Sequence, residues 1–160
     1  MRPHEVEIVR KFYETHRGEL FTYALALGRS REAAEDAVQS VFRGVLDRSR
    51  LPADLRPYLF RSIRNALIDQ HRARVRHEDA VSIFRMDARR NNGHDPALAE
   101  EIESLMQQLN ESERECIVMK TYSGLTFAEI AAVCGTSQNT VASWYRRGLE
   151  KMRSLMKEDL

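Results

Sequence analysis

The side chains with recognisable chemistry in this sequence are arginines, amides and hydroxyls at helical spacing, not nucleophiles or metal ligands. Near the C-terminus, Gln138, Asn139, Ser143, Arg146 and Arg147 occupy the outward positions of a segment whose other face is apolar. Amide and guanidinium groups offer paired donors and acceptors that match base edges, and arginine and serine also bond phosphate oxygens. A second cationic run lies between residues 56 and 76, where six arginines accompany the single acid Asp69. Catalysis has no comparable support. The five histidines, at 4, 16, 71, 77 and 94, are scattered, with no HExxH and no metal-ligand cluster. No GxSxG, P-loop or dinucleotide-binding glycine pattern is present either, so the chain reads as a binding protein without metal or cofactor. Cys116 and Cys134 lack CxxC spacing and sit among apolar residues, which suits small buried thiols in a reducing compartment.

The elements that must position these groups are helical. The chain has 160 residues, 31% of them charged, with seven glycines and four prolines, a balance that favours helices over a sandwich or barrel. That length suits one ordinary domain or two small ones. Val6, Val9, Phe12 and Tyr13 share a face that Leu20, Tyr23, Ala24 and Leu27 continue until Gly28. Ser30 is placed to cap a helix over about 31–48, whose stripe is Ala34, Ala37, Val38, Val41, Phe42 and Val45. Asp54 can cap a third, in which Leu55, Leu59, Phe60, Ile63 and Leu67 face inward and the arginines line the outside. Residues 77–95 lose the helical period and read as a flexible linker. They could reach roughly 60 Å if extended, and about 25 Å as a coil.

Asp95-Pro96 opens a second module, in which Leu98, Ile102, Leu105, Met106 and Leu109 point inward. Asn110 with Glu113 makes a capping box for the next helix, which Gly124 stops. Thr126 with Glu129 makes another, opening a short helix over 127–133. Gly135 then supplies a sharp turn, and Ser137 caps a helix running to about Met156. Short helix, glycine turn and longer helix with a polar face form a helix-turn-helix, whose second helix fits the major groove. The expected architecture is therefore all-α: two small helical domains, 1–76 and 96–160, joined by the linker. A single hydrophobic interior shared by both halves would contradict that separation.

Charge is distributed unevenly behind a net of +1. Residues 97–115 hold six glutamates and one arginine, whereas residues 144–157 hold five basic residues and only Glu150. Two basic stripes separated by an acidic helix can touch a polyanion at two places. No apolar run approaches the roughly 18–20 residues of a membrane span, and the first residues lack a secretory pattern. A cytoplasmic protein without membrane insertion is expected.

Three segments in order, EDAVQ, then YLFRSIRNALID, then LTFAEIA followed by TVAS, resemble regions two and four of bacterial sigma factors. With only these regions and a short linker, the layout is similar to the extracytoplasmic-function (ECF) group. The resemblance implies a factor that binds core RNA polymerase, through its largest-subunit coiled coil and its flap, and reads −10 and −35 promoter DNA. It assigns Asp36, Val38, Gln39 and Phe42 to the polymerase, although Val38 and Phe42 also read as core and Asp36 and Gln39 as a solvated face. It assigns the −10 strand to Tyr58, Arg61, Arg64, Asn65, Arg72, Arg74 and Arg76. Asn65 falls near the pocket for a flipped base, Tyr58 could stack on a base or lie in the core, and the arginines would follow phosphates or merely solvate their helix. It assigns the −35 duplex to Gln138, Asn139, Ser143, Arg146 and Arg147. Ser40, Ala142 and Trp144 depart from common family residues, and Trp144 packs near Val141 or lies against DNA. An anti-sigma factor is a further partner that the resemblance admits. The competing reading is a stand-alone regulator with an N-terminal dimerisation or sensing domain.

Overall fold

The computed structural model describes residues 1–28, 30–73, 101 and 104–158, and the side chains within these except at 70–73 and 158. All regular structure among the described residues is helical. The N-terminal half contains α1 (Pro3–Gly28), α2 (Arg31–Leu46) and α3 (Leu55–Ala73), each packed against the other two. Pro3 occupies the first turn of α1, where its missing N–H costs nothing, and the Arg2 amide donates to Glu5 Oε2 at 2.9 Å. Ser30 caps α2 as its position predicts, accepting from the Ala33 amide at 3.3 Å. The stripes that face inward are those of the sequence pattern: Ala34, Ala37, Val38, Phe42 and Val45 on α2, and Leu55, Leu59, Phe60, Ile63 and Leu67 on α3. Val6 is an exception, staying exposed at the edge of the α1–α2 seam.

The C-terminal half contains α4 (Glu111–Ile117), extended by a π-helical turn (Val118–Tyr122), then α5 (Phe127–Cys134) and α6 (Gln138–Glu158). Both capping boxes form. Asn110 Oδ1 accepts from the Glu113 amide at 2.9 Å and Glu113 Oε2 from the Asn110 amide at 3.2 Å. Thr126 Oγ1 accepts from the Glu129 amide at 3.1 Å and Glu129 Oε1 from the Thr126 amide at 3.0 Å. Gly135 ends α5 at φ 66°, the left-handed conformation that lets the chain turn sharply into α6. Ser137 Oγ then accepts from the Thr140 amide at 3.2 Å, so the helix-turn-helix corner forms as its residues predict. The widening of α4 into a π turn had no sequence signal. Gly148 on α6 was also silent: a Cβ there would lie 2.6 Å from Ile117 Cδ1, so its bareness lets α6 approach α4 closely.

The two halves are in contact. Buried residues from Val9 to Val141 form one contiguous cluster that draws on both halves, and α3 packs against α5 while α1 packs against α4. The halves are docked on one another. The physical reason is size. A module of roughly 70 residues buries only a modest share of its apolar surface, and a neighbouring half covers part of what remains. Residues 77–95, with Asp95-Pro96, Leu98 and Ile102, lie outside the described residues.

Candidate nucleic-acid interface

The clearest candidate surface is on α6. At about 100° per residue, Val141, Gly148 and Met152 share a stripe, and the first two are buried against the rest of the half. Asn139, Ser143 and Arg146 share the opposite stripe, with Arg147 at its edge and Gln138 at the start of the helix on the flank between the two stripes. Ser143 is half-buried and the other four are exposed. Arg147 spends one bond internally, donating from Nε to the Ser143 carbonyl at 3.4 Å. The first turn of α6, held by Ser137, therefore presents two amides, with the arginine pair two turns further along. Trp144 is half-buried and packs against the core, as the first of its two readings expected.

Two carboxylates of the acidic segment beside this surface are consumed by the protein. Glu113 is 1% exposed and takes both of its strong contacts from Lys151 Nζ, at 2.8 and 2.9 Å. Glu115 is also buried, and accepts from Tyr23 Oη at 2.7 Å and Arg64 Nε at 2.8 Å. Burial, followed by the Glu115 charge, drives the Tyr23 hydroxyl pKa well above the usual phenol range, so it stays a donor. Two of the six glutamates in 97–115 are thus neutralised by packing partners, whereas Glu101 and Glu111 remain exposed.

On α3 the predicted −10 residues split between two faces. Tyr58, Arg61 and Asn65 share a stripe, with Arg61 and Asn65 exposed and Tyr58 half-buried. Arg64 lies on the opposite stripe with Arg56 and Phe60, turned toward the C-terminal half. Arg72 is in α3, but its side chain lies outside the described residues, as do Arg74 and Arg76 entirely. The sequence did not single out Arg48. Its guanidinium lies 5.3 Å from the centre of the Tyr58 ring and donates from Nη1 to Tyr58 Oη at 3.3 Å. Its only sequence signal was a place in the polar loop before α3.

The predicted polymerase residues also divide. Asp36 and Gln39 are exposed, whereas Val38 and Phe42 are buried. Gln39 and Phe42 nevertheless meet at an apolar groove of about 440 Å³ between α1 and α2, completed by Val6, Val9, Tyr13 and Leu46 and flanked by Arg10 and Arg43. Tyr13 stands edge-on to Phe42 with ring centres 4.8 Å apart, forming the floor. Among the described residues no group of three or more His, Cys, Asp or Glu could hold a metal ion, and no helix is long and apolar enough to cross a membrane.

These surfaces coincide with known modules. The family model "Sigma-70 region 2" matches residues 12–77, and "Sigma-70, region 4" matches residues 99–152. The RNA polymerase sigma factor CarQ of Myxococcus xanthus is 32% identical over 137 residues, covering 81% of this chain and 78% of that protein. The chain belongs to the ECF sigma factors. The ECF RNA polymerase sigma factor EcfG of Rhodopseudomonas palustris is 27% identical over 145 residues, covering 88% and 80% of the two chains. The solved structure of CnrH, in complex with the cytosolic domain of CnrY, matches with a TM-score of 0.67 at 25% identity, covering 95% of this chain and 89% of that one. As an ECF sigma factor the protein binds core RNA polymerase and directs promoter-specific transcription initiation. The stand-alone regulator is not favoured.

Proposed function

We propose that the sigma factor divides its work between a region-two module at 1–76 and a region-four module at 96–160, with 77–95 as the linker. In this reading α6 enters the −35 major groove, with Gln138 and Asn139 leading and Arg146 and Arg147 bonding bases or phosphates. The exposed stripe of α3 captures the opened −10 strand: Tyr58 stacks on a base, Arg61 tracks phosphate, and Asn65 pairs with the edge of a flipped base. Arg72, Arg74 and Arg76 extend the phosphate track. The groove with Gln39 and Phe42, beside Asp36 and Val38, receives the largest-subunit coiled coil, and region four reaches the flap. No bond is broken by the sigma factor itself, which acts in the cytoplasm without a cofactor. An anti-sigma factor is a fitting restraint, since the solved CnrH structure is a complex with the cytosolic domain of CnrY.

The observation that carries this reading is the two-faced α6, which exposes Asn139, Arg146 and Arg147 opposite the buried Val141 and Gly148, with one bond from Arg147 to the Ser143 carbonyl spent internally. Strand opening follows from differential affinity. Bases held only when unstacked shift the duplex equilibrium by their own binding energy, about 1–3 kcal/mol per stacked base. The test is run-off transcription from promoter DNA with purified core polymerase, with and without the chain. Promoter-dependent transcript appears only with it; none in either arm defeats the reading. Within that assay, Asn65→Ala lowers open-complex formation about tenfold, measured by permanganate reactivity of unpaired thymines, and leaves closed-complex binding within about twofold. Equal loss of both would remove the base-reading role.

The groove makes a separate prediction. Leu46 is 44% exposed at its rim, so charging it disturbs the fold little. Leu46→Glu weakens association with core polymerase roughly tenfold or more, because a carboxylate must be desolvated against an apolar wall when the partner seats. Co-sedimentation with core enzyme measures it, with unchanged circular dichroism as the control.

A further inference from the structure

The ring assigned to base stacking is already occupied in the chain alone. Arg48 lies two residues past the end of α2, where its amide donates to the Val45 carbonyl at 3.1 Å. That bond fixes the backbone at the start of the loop and leaves an exposed side chain free to choose its contact. The contact it makes is Tyr58, in the first turn of α3. The guanidinium carbon is 5.3 Å from the ring centre, and Nη1 donates to Oη at 3.3 Å. Among the described residues no carboxylate pairs with Arg48; its side-chain contacts are with Tyr58. Tyr58 is half-buried and packs against the core, so part of the ring is spent and the guanidinium covers a face of what remains. Leu51, also packed on the core, pins the middle of the loop. Arg61 and Asn65 follow Tyr58 on the open stripe of α3, so Arg48 lies at one end of the proposed strand track.

A guanidinium over an aromatic face and a base stacked on it are alternatives, because both need the same π surface. At an exposed site the cation is held less strongly than a base. A base leaving its duplex therefore wins the ring, and the displaced guanidinium is left beside the phosphates of the strand. There its planar fork of donors matches phosphate oxygens better than it matched a neutral ring. We propose that Arg48 is a strand-binding residue that works by exchange: it rests on Tyr58 until an unstacked base takes the ring, and then pairs with a phosphate flanking that base. The inference rests on the proposed stacking role of Tyr58. Exchange gives Arg48 a property that a fixed phosphate contact lacks. Its bond to the strand forms only after a base has seated, so the bond is given to an opened strand and withheld from one whose base is absent or still paired. A contact made in one state alone shifts the equilibrium toward that state, whereas a contact made in both does not.

The exchange is tested with holoenzyme assembled from the full chain and core polymerase. The readout is the anisotropy of fluorescein-labelled single-stranded oligonucleotides carrying the non-template −10 sequence of the run-off promoter. One abasic site is moved through the probe. The stacked base is the position whose removal weakens binding of the parent about tenfold but leaves the Tyr58→Leu holoenzyme unaffected. On the intact probe, Arg48→Ala weakens binding roughly threefold to fivefold at low salt. It also flattens the plot of log affinity against log salt by about 0.7, the share of one phosphate on a single strand. On the probe abasic at the stacked position the guanidinium keeps the ring, and Arg48→Ala leaves affinity and slope at their parental values. Circular dichroism of both variants matches the parent. An equal loss of slope on the two probes makes Arg48 a fixed phosphate contact and overturns the exchange. An unchanged slope on the intact probe overturns its binding to the strand. Failure of the premise shows separately: no abasic position then distinguishes the parent from Tyr58→Leu, which removes the stacking role of the ring and the exchange with it.

Discussion

Transcription from a promoter that depends on its −35 element falls roughly a hundredfold when Arg146 and Arg147 are both replaced by alanine, while co-sedimentation with core polymerase is preserved. Each arginine is exposed on α6 and contributes little to folding, so truncation leaves the helix intact. A guanidinium bonded doubly to a guanine contributes about 1–3 kcal/mol of discrimination, and one on a phosphate a smaller, salt-dependent amount. Together these amount to about two powers of ten. The two arginines are separable by their salt response. If Arg147, already bonded to the Ser143 carbonyl, contacts phosphate, then Arg147→Ala alone flattens the salt dependence of DNA binding by about one unit of slope without changing sequence preference. Arg146→Ala instead relaxes preference at one base pair. Parallel loss of polymerase association and DNA reading in the double variant would count against the assignment of α6.

Much of this was legible because local rules and the fold agree. Ser30, Asn110, Thr126 and Ser137 mark helix starts by hydrogen bonds made within three residues, and such bonds depend on no distant contact. Gly135 marks the corner because few other residues tolerate its positive φ. The polar stripe of α6 could be read from spacing alone. Long-range pairing was not legible. Periodicity gives Arg64 the same weight as Arg61, yet three residues of rotation put one against Glu115 and leave the other in solvent. Glu113 and Glu115 belong to a run of glutamates that looks like a solvated face, and nothing nearby in sequence announces Lys151 or Tyr23. Gly148 is a similar case, since its partner Ile117 is thirty-one residues away. Docking of the halves belongs to the same class. It comes from surfaces that each module leaves incompletely covered, a property of the assembled cores and not of any segment.

Arg48 shows the intermediate case. Its place in the polar loop before α3 was visible, but its pairing with Tyr58 depends on where the loop folds back. In that pairing the positive charge lies over the ring that the proposed mechanism uses for stacking. A base arriving at Tyr58 must therefore displace Arg48 from the ring or take the other face, which couples the conformation of the loop to strand capture.

Phe60→Ala is expected to destabilise the chain by about 3–5 kcal/mol, the range for removing a fully buried aromatic side chain from a core that only partly collapses. Phe60 is 0% exposed and leans on Tyr23 with ring centres 4.9 Å apart, at the level of α3 midway between Arg56 and Arg64. Its loss removes packing from α1 and α3 together and loosens the support beneath Tyr23, whose hydroxyl holds Glu115. For a chain of this length such a cost lowers Tm by roughly 10–15 °C, measured by thermal unfolding followed by circular dichroism. Phe60→Leu, which restores most of the volume, recovers more than half of that loss. The functional consequence separates Phe60 from the residues outside it. Asn65→Ala changes open-complex formation at unchanged Tm, whereas Phe60→Ala lowers Tm and every promoter step together, because α3 can present Tyr58, Arg61 and Asn65 in register only while its inner face is anchored. A Phe60→Ala chain that unfolds at the parental temperature would show that the stripe between the two arginines is not a structural anchor, and would move the orientation of α3 onto its polar contacts alone.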